Sequence, residues 1–136
     1  MLEKPFKPAG VYPALVTPFA KDESVDEEAF RRLIRRVLPH VDGLVPCGTT
    51  GEFPYLSVDE QKRLVQIAVE EAGGKPVVAG TGAAGTAQAI ELARNARTVG
   101  ATACLVVTPY FLHPADKGVY QHFYDIAKAV DIPIIL

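Results

Sequence analysis

The fold is decided by the stretch from residue 76 to residue 107, which reads PVVAG-TGAAG-TAQAIELARNARTV-GAT-ACLVV. An apolar, β-branched run ends in glycine, an amphipathic segment follows it, and a second apolar run completes the unit. Strands that are apolar on both faces and alternate with helices are typical of parallel sheets covered by helices. The stretch therefore predicts strands at 76–80 and 103–107, joined by a helix at 86–99.

The same alternation runs through the rest of the chain. Further strands are predicted at 10–19, 41–47 and 132–136, and further helices at 26–38, 57–72 and 116–130. Ser57 and Glu60 have the spacing of a capping box at the start of the second helix, and Pro39 should stop the first. Repeats of roughly 30 residues are the size expected of βαβ units.

Two architectures accommodate this alternation: a doubly wound open sheet, or part of an eight-fold parallel (β/α)8 barrel. Crossovers between the strands are right-handed in both. Ligands bind at the carboxyl ends of the strands in both, so the loops after strands one to four are the ones to inspect. No linker or low-complexity segment divides the sequence.

Composition argues against several classes of protein. The 136 residues are 49% hydrophobic and 22% charged, with a net charge of -2, as in an ordinary globular domain. This charge gives no electrostatic reason to expect nucleic acid or an anionic membrane as partner, and no apolar run has the length of a membrane span. Cys47 and Cys104 have no metal-like spacing, so we expect no metal and two free thiols in a reducing cytoplasm.

The loop after the second strand is the strongest candidate for a binding site. It reads Gly48-Thr49-Thr50-Gly51-Glu52. The glycines would let the backbone approach a ligand, and the two hydroxyls with their amides could hold a small carboxylate. A tight turn whose threonines bond to the backbone is an equal alternative. Glu52 could be a catalytic carboxylate, but a role in orienting the loop is the favoured interpretation.

The loop after the third strand, residues 80–85, reads GTGAAG, which has the form of a dinucleotide-binding fingerprint. That fingerprint also requires an acidic residue about 20 positions further on, to bind the ribose. Residues 103–108 contain no acid. We therefore favour a packed βα turn over NAD binding and expect no cofactor.

The loop after the fourth strand carries two aromatic residues, Tyr110 and Phe111. They could form a pocket wall or a subunit contact, and ordinary apolar packing is the alternative. His113 could act as an acid or base, although a solvated loop histidine is favoured. His40 and His122 have no companions that suggest a metal, and we expect both to be structural or surface residues.

Taken together, these loops resemble one family, that of dihydrodipicolinate synthase and N-acetylneuraminate lyase. The resemblance extends over nearly the whole chain, in order and at the family's spacing, in the segments 15–19, 48–52, 78–82, 107–110, 120–123 and 132–136. It implies a parallel (β/α)8 TIM barrel. Residues 1–136 would be the amino-terminal part of that single domain and would supply about its first five strands and four helices.

The resemblance also implies a class I aldolase mechanism. A lysine would form a Schiff base with pyruvate or another 2-keto acid, and the resulting enamine would add to an aldehyde. Thr49 and Thr50, with Gly48 and Gly51, would bind the keto-acid carboxylate. Thr49 would also join a proton relay with tyrosines, of which Tyr110 is a candidate. The resemblance also implies a cytoplasmic, homo-oligomeric enzyme of lysine biosynthesis.

Some positions depart from the family pattern. The Schiff-base lysine of the family lies on the sixth strand, and a relay tyrosine follows the fifth, so we expect neither in this chain. None of its seven lysines falls at the carboxyl end of a predicted strand, and the chain alone should therefore be inactive. Phe111 stands where the synthases usually have a second tyrosine that reaches the neighbouring subunit's site, and phenylalanine passes no proton.

Several functions remain open on this basis. The leading interpretation is a synthase that condenses pyruvate with aspartate semialdehyde. An aldolase for 2-keto-3-deoxy sugar acids or sialic acid is the alternative within the family, which Phe53 beside Glu52 slightly favours. A non-catalytic half-barrel that assembles with itself or with a missing half is the alternative from another class. A nucleotide-binding oxidoreductase rests on the glycine motif alone.

Overall fold

The computed structural model describes residues 6–136. Within this part of the chain there are four α-helices, α1 Glu27–Val37, α2 Val58–Glu71, α3 Thr86–Thr98 and α4 Asp116–Ala129. Three parallel strands, β1 Val78–Gly80, β2 Ala103–Leu105 and β3 Ile134–Ile135, pair in chain order. Single-turn 3-10 helices are formed by Leu38–His40, Thr49–Gly51 and Phe53–Tyr55. The four helices and three of the strands lie where the sequence predicts them.

The strands predicted at 10–19 and 41–47 are present as extended segments joined by single parallel bridges. Val45 donates to the carbonyl of Pro13, and Leu44 donates to the carbonyl of Pro76, both at 3.0 Å. Neither pairing continues as a ladder, because Pro13 and Pro46 lack the N–H that would make the next hydrogen bond. The predicted strands are therefore shorter in the structure, but all five segments follow one another in the parallel order of the sequence.

The helices lie on one side of this sheet. α1 packs against α2, α2 against α3, and α3 against α4. The main core lies between helices and strands and includes Phe30, Ile34, Leu64, Ile67 and Ile126. A smaller cluster is centred on Val45, Val78 and Ala103, with Phe6, Tyr12, Leu105 and Ile135 packed against it. Sequential strand order with helices on one face is the arrangement of a barrel and differs from a doubly wound sheet.

Local signals in the sequence set the helix ends. Asp26 caps α1, because its carboxylate accepts a hydrogen bond from the amide of Ala29 at 2.8 Å. α1 ends at Val37, and Pro39 lies in the 3-10 turn that follows. The capping box predicted at the start of α2 is confirmed, since the Ser57 side chain and the Glu60 side chain each bond the other's backbone amide.

Ion pairs join α1 to α2 on the outer surface. Arg31 bonds Glu70 at 2.6 Å and Glu71 at 2.8 Å, and Arg35 bonds Glu71 at 2.8 Å. Hydrogen bonds from Arg35 and Arg31 lower the pKa of the Glu71 carboxyl from 4.5 to about 2. The two helices are thereby fastened together at the end of α2.

Candidate active site

The threonine loop, residues 48–52, leaves the end of the second strand segment as a 3-10 turn. Thr17, a buried residue of the first segment, donates a hydrogen bond of 2.7 Å to the carbonyl of Gly51. A Cβ at Gly51 would approach the carbonyl oxygen of Leu15 to 3.0 Å, so glycine lets the turn lie against that segment. A Cβ at Gly48 would make only an ordinary contact with the Val45 side chain, at 4.0 Å. The close approach at Gly51 is thus to the chain's own backbone.

Thr49 and Thr50 project at the exposed face of the threonine loop. Neither hydroxyl forms a hydrogen bond with another residue in 6–136. The side-chain hydrogen bond that anchors the loop comes from Thr17 instead. The backbone amides that close the turn are those of Gly51 and Glu52. The first amides of a helical turn have no partner within the turn. Hydroxyls and amides of two adjacent residues are therefore available to a ligand.

Two residues with left-handed backbone conformation border this turn. Cys47 has φ 57° and Glu52 has φ 58°, values that residues other than glycine seldom adopt. The Cys47 thiol is buried and donates to the carbonyl of Gln61 at 3.7 Å. Burial raises the pKa of this thiol to about 12, so it is not a nucleophile. The Glu52 side chain is exposed, and the orienting hydrogen bonds expected of it are not seen among the described residues.

A cavity of about 40 Å³ lies at the carboxyl ends of the strands. Its walls come from the loops after three successive strands and are formed by Cys47, Gly48, Thr49, Phe53, Gly80, Gly82, Leu105 and Val107. This volume holds about one water molecule. The candidate binding residues Gly48 and Thr49 thus line a cleft, with Thr50 and Gly51 in the same turn.

The glycine motif after β1 has a packing explanation. A Cβ at Gly80 would collide with the carbonyl group of Cys47, and a Cβ at Gly82 would collide with Val107. These glycines therefore bring the loops of neighbouring strands together around the cavity. Gly85 precedes α3 with open space around it. The motif needs no dinucleotide to account for its first two glycines.

Tyr110 lies next to the threonine loop, where its ring packs edge-on against Phe53. The ring centroids are 5.8 Å apart, at an interplanar angle of 83°. Phe111 is 90% exposed and has φ 71°, so its ring projects away from the chain. The structure therefore places Tyr110 against Phe53, which lines the cavity, and leaves the Phe111 ring exposed.

The histidines do not join this site. His40 and His113 are exposed. His122 is buried in α4 and its Nδ1 is 2.9 Å from the hydroxyl of Thr86, the first residue of α3. Burial lowers the pKa of His122, as expected for a neutral structural residue.

Sequence reasoning did not single out Thr17 and Gln61, which support the site. Thr17 is a buried hydroxyl at the end of an otherwise apolar segment. Gln61 lies in α2 at i, with Leu64, Val65 and Ala68 at i+3, i+4 and i+7, so it occupies the buried stripe of an amphipathic helix. A polar residue in such an apolar stripe is the sequence feature that could have identified Gln61.

In residues 6–136 no group of three or more histidine, cysteine or acidic side chains is arranged to hold a metal ion. None of the helices in this range combines the length and the apolar character needed to cross a bilayer.

Sequential parallel strands with one layer of helices define part of a (β/α)8 barrel, and the cleft lies at the carboxyl ends of the strands, where such barrels carry their βα loops. The chain belongs to the dihydrodipicolinate synthetase family, whose model matches residues 7–136. The family resemblance and the barrel fold predicted from the sequence are thereby confirmed, with this chain as a part of the barrel.

Individual relatives agree with this assignment. The 4-hydroxy-tetrahydrodipicolinate synthase of Bradyrhizobium diazoefficiens is 54% identical over 129 residues, which are 93% of this chain and 43% of that protein. A crystal structure of dihydrodipicolinate synthase from Acinetobacter baumannii, complexed with pyruvate, superimposes with a TM-score of 0.90 at 40% identity, over 93% of this chain and 44% of that one.

A more distant relative within the family is N-acetylneuraminate lyase from Mycoplasma synoviae. Its structure superimposes with a TM-score of 0.87 at 30% identity, over 93% of this chain and 45% of that one. The chain therefore spans less than half the length of the relatives that it matches.

Proposed function

We propose that this chain carries the keto-acid-binding part of a Schiff-base-forming carbon–carbon lyase or synthase. Its nearest chemistry is that of 4-hydroxy-tetrahydrodipicolinate synthase, with pyruvate and aspartate semialdehyde as substrates. The observation that carries the proposal is the pair of exposed hydroxyls on Thr49 and Thr50, which no described residue engages, beside the cavity at the strand ends. The pyruvate complex of the A. baumannii synthase supports the choice of keto acid.

In this proposal the threonine loop binds the carboxylate of pyruvate. The hydroxyls of Thr49 and Thr50 and the free amides at the start of the 3-10 turn supply the donors. Gly48 adds no side chain next to the turn, and Gly51 lets the turn lie against the first strand segment. Charge-assisted hydrogen bonds of this kind are short and strong, which fixes the keto carbon for attack by an amine.

Thr49 and Tyr110 are the proposed catalytic residues of this chain. A hydroxyl can both donate and accept, so the two together can pass a proton between the reacting centre and water. The Phe53 ring holds Tyr110 beside the loop. Phe111 has no hydroxyl, so the residue at this position takes no part in such a relay.

The amine that forms the Schiff base is proposed to come from polypeptide other than this chain. Lys62, Lys117 and Lys128 lie on helices, and Lys75 donates to the carbonyls of Leu38 and Val41. The other lysines are Lys7 and Lys21, which are exposed, and Lys4, which lies outside the described residues. Assembly into one barrel domain, and into a homo-oligomer, belongs to the same proposal.

A cytoplasmic location is also part of the proposal. Cys47 and Cys104 are both unpaired and buried. Reducing compartments keep thiols in this state.

A lyase for sialic acid or a related 2-keto-3-deoxy sugar acid is the second candidate. The observation in its favour is Phe53, whose ring forms part of the cavity wall. Identity is higher to the synthase, at 54%, than to the lyase, at 30%, which supports the first candidate. The two differ in the aldehyde that reacts with pyruvate. A half-barrel without catalytic function would use neither aldehyde.

A chimeric enzyme tests the proposal. The matching part of the B. diazoefficiens synthase is replaced by this chain, and the purified chimera is assayed with pyruvate and either aspartate semialdehyde or N-acetylmannosamine. We expect turnover with the first aldehyde. Turnover only with the second would favour the sugar-acid lyase, and a folded chimera without turnover would contradict the proposal.

Variants of the same chimera test the carboxylate site. Thr50→Val should raise the KM for pyruvate, because one hydrogen bond to a charged group contributes about 1.5–3 kcal/mol. Thr50→Ser keeps the hydroxyl and is the matched control. Equal kinetics for the two variants would assign the loop a structural role.

A further inference from the structure

A second, smaller cavity lies behind the candidate active site, between α2, β1 and α3. Its volume is about 10 Å³, and Gln61 and Thr81 are among the residues that line it. These two polar residues are only 4% and 1% exposed. A space of this size is at the lower limit for one water molecule, and most of the surface that it exposes is apolar, so a water there would depend on a few polar partners.

The Gln61 amide has only one orientation open to it. Its Nε2 donates to the carbonyls of Phe53 at 3.2 Å and Leu56 at 3.3 Å. Carbonyl oxygens only accept, so the amide nitrogen must face them and the oxygen must face elsewhere. That oxygen, Oε1, is fully buried and has no hydrogen-bond partner among the described residues.

Thr81, which also lines this cavity, carries a second unsatisfied atom. Its backbone amide donates to the carbonyl of Leu105 at 3.0 Å, whereas its hydroxyl is buried without a hydrogen-bond partner in residues 6–136. The nearby Cys104 thiol, whose pKa burial raises to about 11 and the Thr81 hydroxyl partly lowers, forms no hydrogen bond of ordinary geometry with it. Buried polar atoms are rarely left unpaired, so each of these two requires a partner.

We propose that one ordered water molecule occupies this cavity and bridges Gln61 Oε1 to Thr81 Oγ1. Water can donate to the amide oxygen and exchange either role with the hydroxyl. Asn95 also lines the cavity and offers a third polar partner, in keeping with the two to four that buried waters use.

The bridge makes Gln61 a positioning residue for the candidate site. On one side the water ties α2 to the loop that follows β1. On the other, Gln61 holds the 3-10 turn Phe53–Tyr55 through the carbonyl of Phe53. The ring of Phe53 contacts Tyr110. The water therefore couples two βα loops of the site, and it does so whether or not the proposed keto-acid chemistry is correct.

Crystallography of the purified protein, at a resolution that shows ordered solvent, tests the water directly. We expect one water within hydrogen-bonding distance of both atoms in the wild type and in Thr81→Ser. Thr81→Val keeps the side-chain volume but removes the hydroxyl, and its cavity should be empty or its water displaced. An empty wild-type cavity, or an unmoved water in Thr81→Val, would overturn the proposal.

Amide hydrogen exchange tests the positioning role. Leu56 donates its amide to the carbonyl of Phe53, in a turn that Thr81 does not bond. Loss of the bridge should speed exchange at Leu56 roughly three- to tenfold in Thr81→Val, but not in Thr81→Ser. Faster exchange confined to the amide of Thr81 itself would show a merely local role. If Thr81→Val does not fold, the wild-type electron density decides.

Discussion

The hydroxyl of Thr17 donates a 2.7 Å hydrogen bond to the carbonyl of Gly51, 34 residues away in the sequence. Thr17→Val would leave this buried carbonyl without its donor. We expect the free energy of unfolding to fall by about 1–3 kcal/mol in denaturant titrations. Thr17→Ser retains a hydroxyl and should lose much less. A larger loss in Thr17→Ser, which removes the methyl group, than in Thr17→Val, which keeps it, would show that packing of the methyl group, and not the hydrogen bond, holds the loop.

The glycine motif provides a matched pair of substitutions. Gly80→Ala places a methyl group against the carbonyl of Cys47, whereas Gly85→Ala places one in open space. We expect Gly80→Ala to destabilise the protein by about 1–3 kcal/mol, as overpacking does. Gly85→Ala should be close to neutral. Alanine lowers the conformational entropy of the unfolded chain, which stabilises the fold, and this offsets the weaker helix cap that alanine makes. Thermal melts compare the two, and a neutral Gly80→Ala would reopen a ligand-based explanation of the motif.

The ion pairs of Glu71 make stability depend on pH. The pKa of this carboxyl is about 2 in the folded chain, below its ordinary 4.5. The charged form therefore stabilises the fold fully above pH 4.5, and this contribution is lost as the pH falls toward 2. We expect Glu71→Gln to cost about 1 kcal/mol at neutral pH, with the difference from wild type shrinking through that window.

Urea titrations at a series of pH values measure this effect. Glu70→Gln is the control, since Glu70 is 40% exposed and Glu71 only 14%, so its loss should be smaller. A difference between Glu71→Gln and wild type that stays constant down to pH 2 would contradict the assignment.

Chemical trapping tests the proposal that none of the lysines in this chain forms the Schiff base. We expect the isolated 136-residue chain to form no adduct when treated with pyruvate and borohydride, because none of the described lysines lies at the carboxyl end of a strand. The chimera with the B. diazoefficiens synthase should form one and serves as the positive control. Mass spectrometry locates the adduct, and stoichiometric labelling of a lysine within this chain would refute the assignment.

Exposed apolar surface predicts that the 136-residue polypeptide associates. A cavity of about 370 Å³ on α4 and β3 is lined by Tyr120, Phe123, Tyr124, Ala127, Ile134 and Leu136. Val11, on the first strand segment, is 60% exposed, and Tyr120 is 67% exposed. Surfaces of this kind drive association.

Light scattering on a freshly purified sample should therefore show dimers or larger species, and Tyr120→Lys should reduce them. A monodisperse monomer with a cooperative melt would show that this surface is stable in water.

Local features of the sequence were enough to predict the helices and their order. The capping box at Ser57 and the apolar stripes of the helices depend on residues three or four apart, which can be read directly. The first two strands are reduced to single bridges because Pro13 and Pro46 stand where the ladder would need a backbone N–H. That follows only from the register with a neighbouring segment.

The same limit applies to the candidate site. The threonine loop was predicted from its composition, but the contacts that hold it join distant parts of the chain. Thr17 reaches Gly51, which is 34 residues away, and Phe53 reaches Tyr110, with α2, β1, α3 and β2 between them. Spacing within one element carries no information about such pairs.

The helices pack in succession, α1 on α2, α2 on α3 and α3 on α4, beside strands in the same order. Each unit can therefore bury its apolar face on the unit made just before it. Contacts of short sequence separation form quickly and carry a low loop-closure cost. During translation this arrangement lets the nascent chain gain structure stepwise as it leaves the ribosome, with only the growing edge open to solvent at any moment.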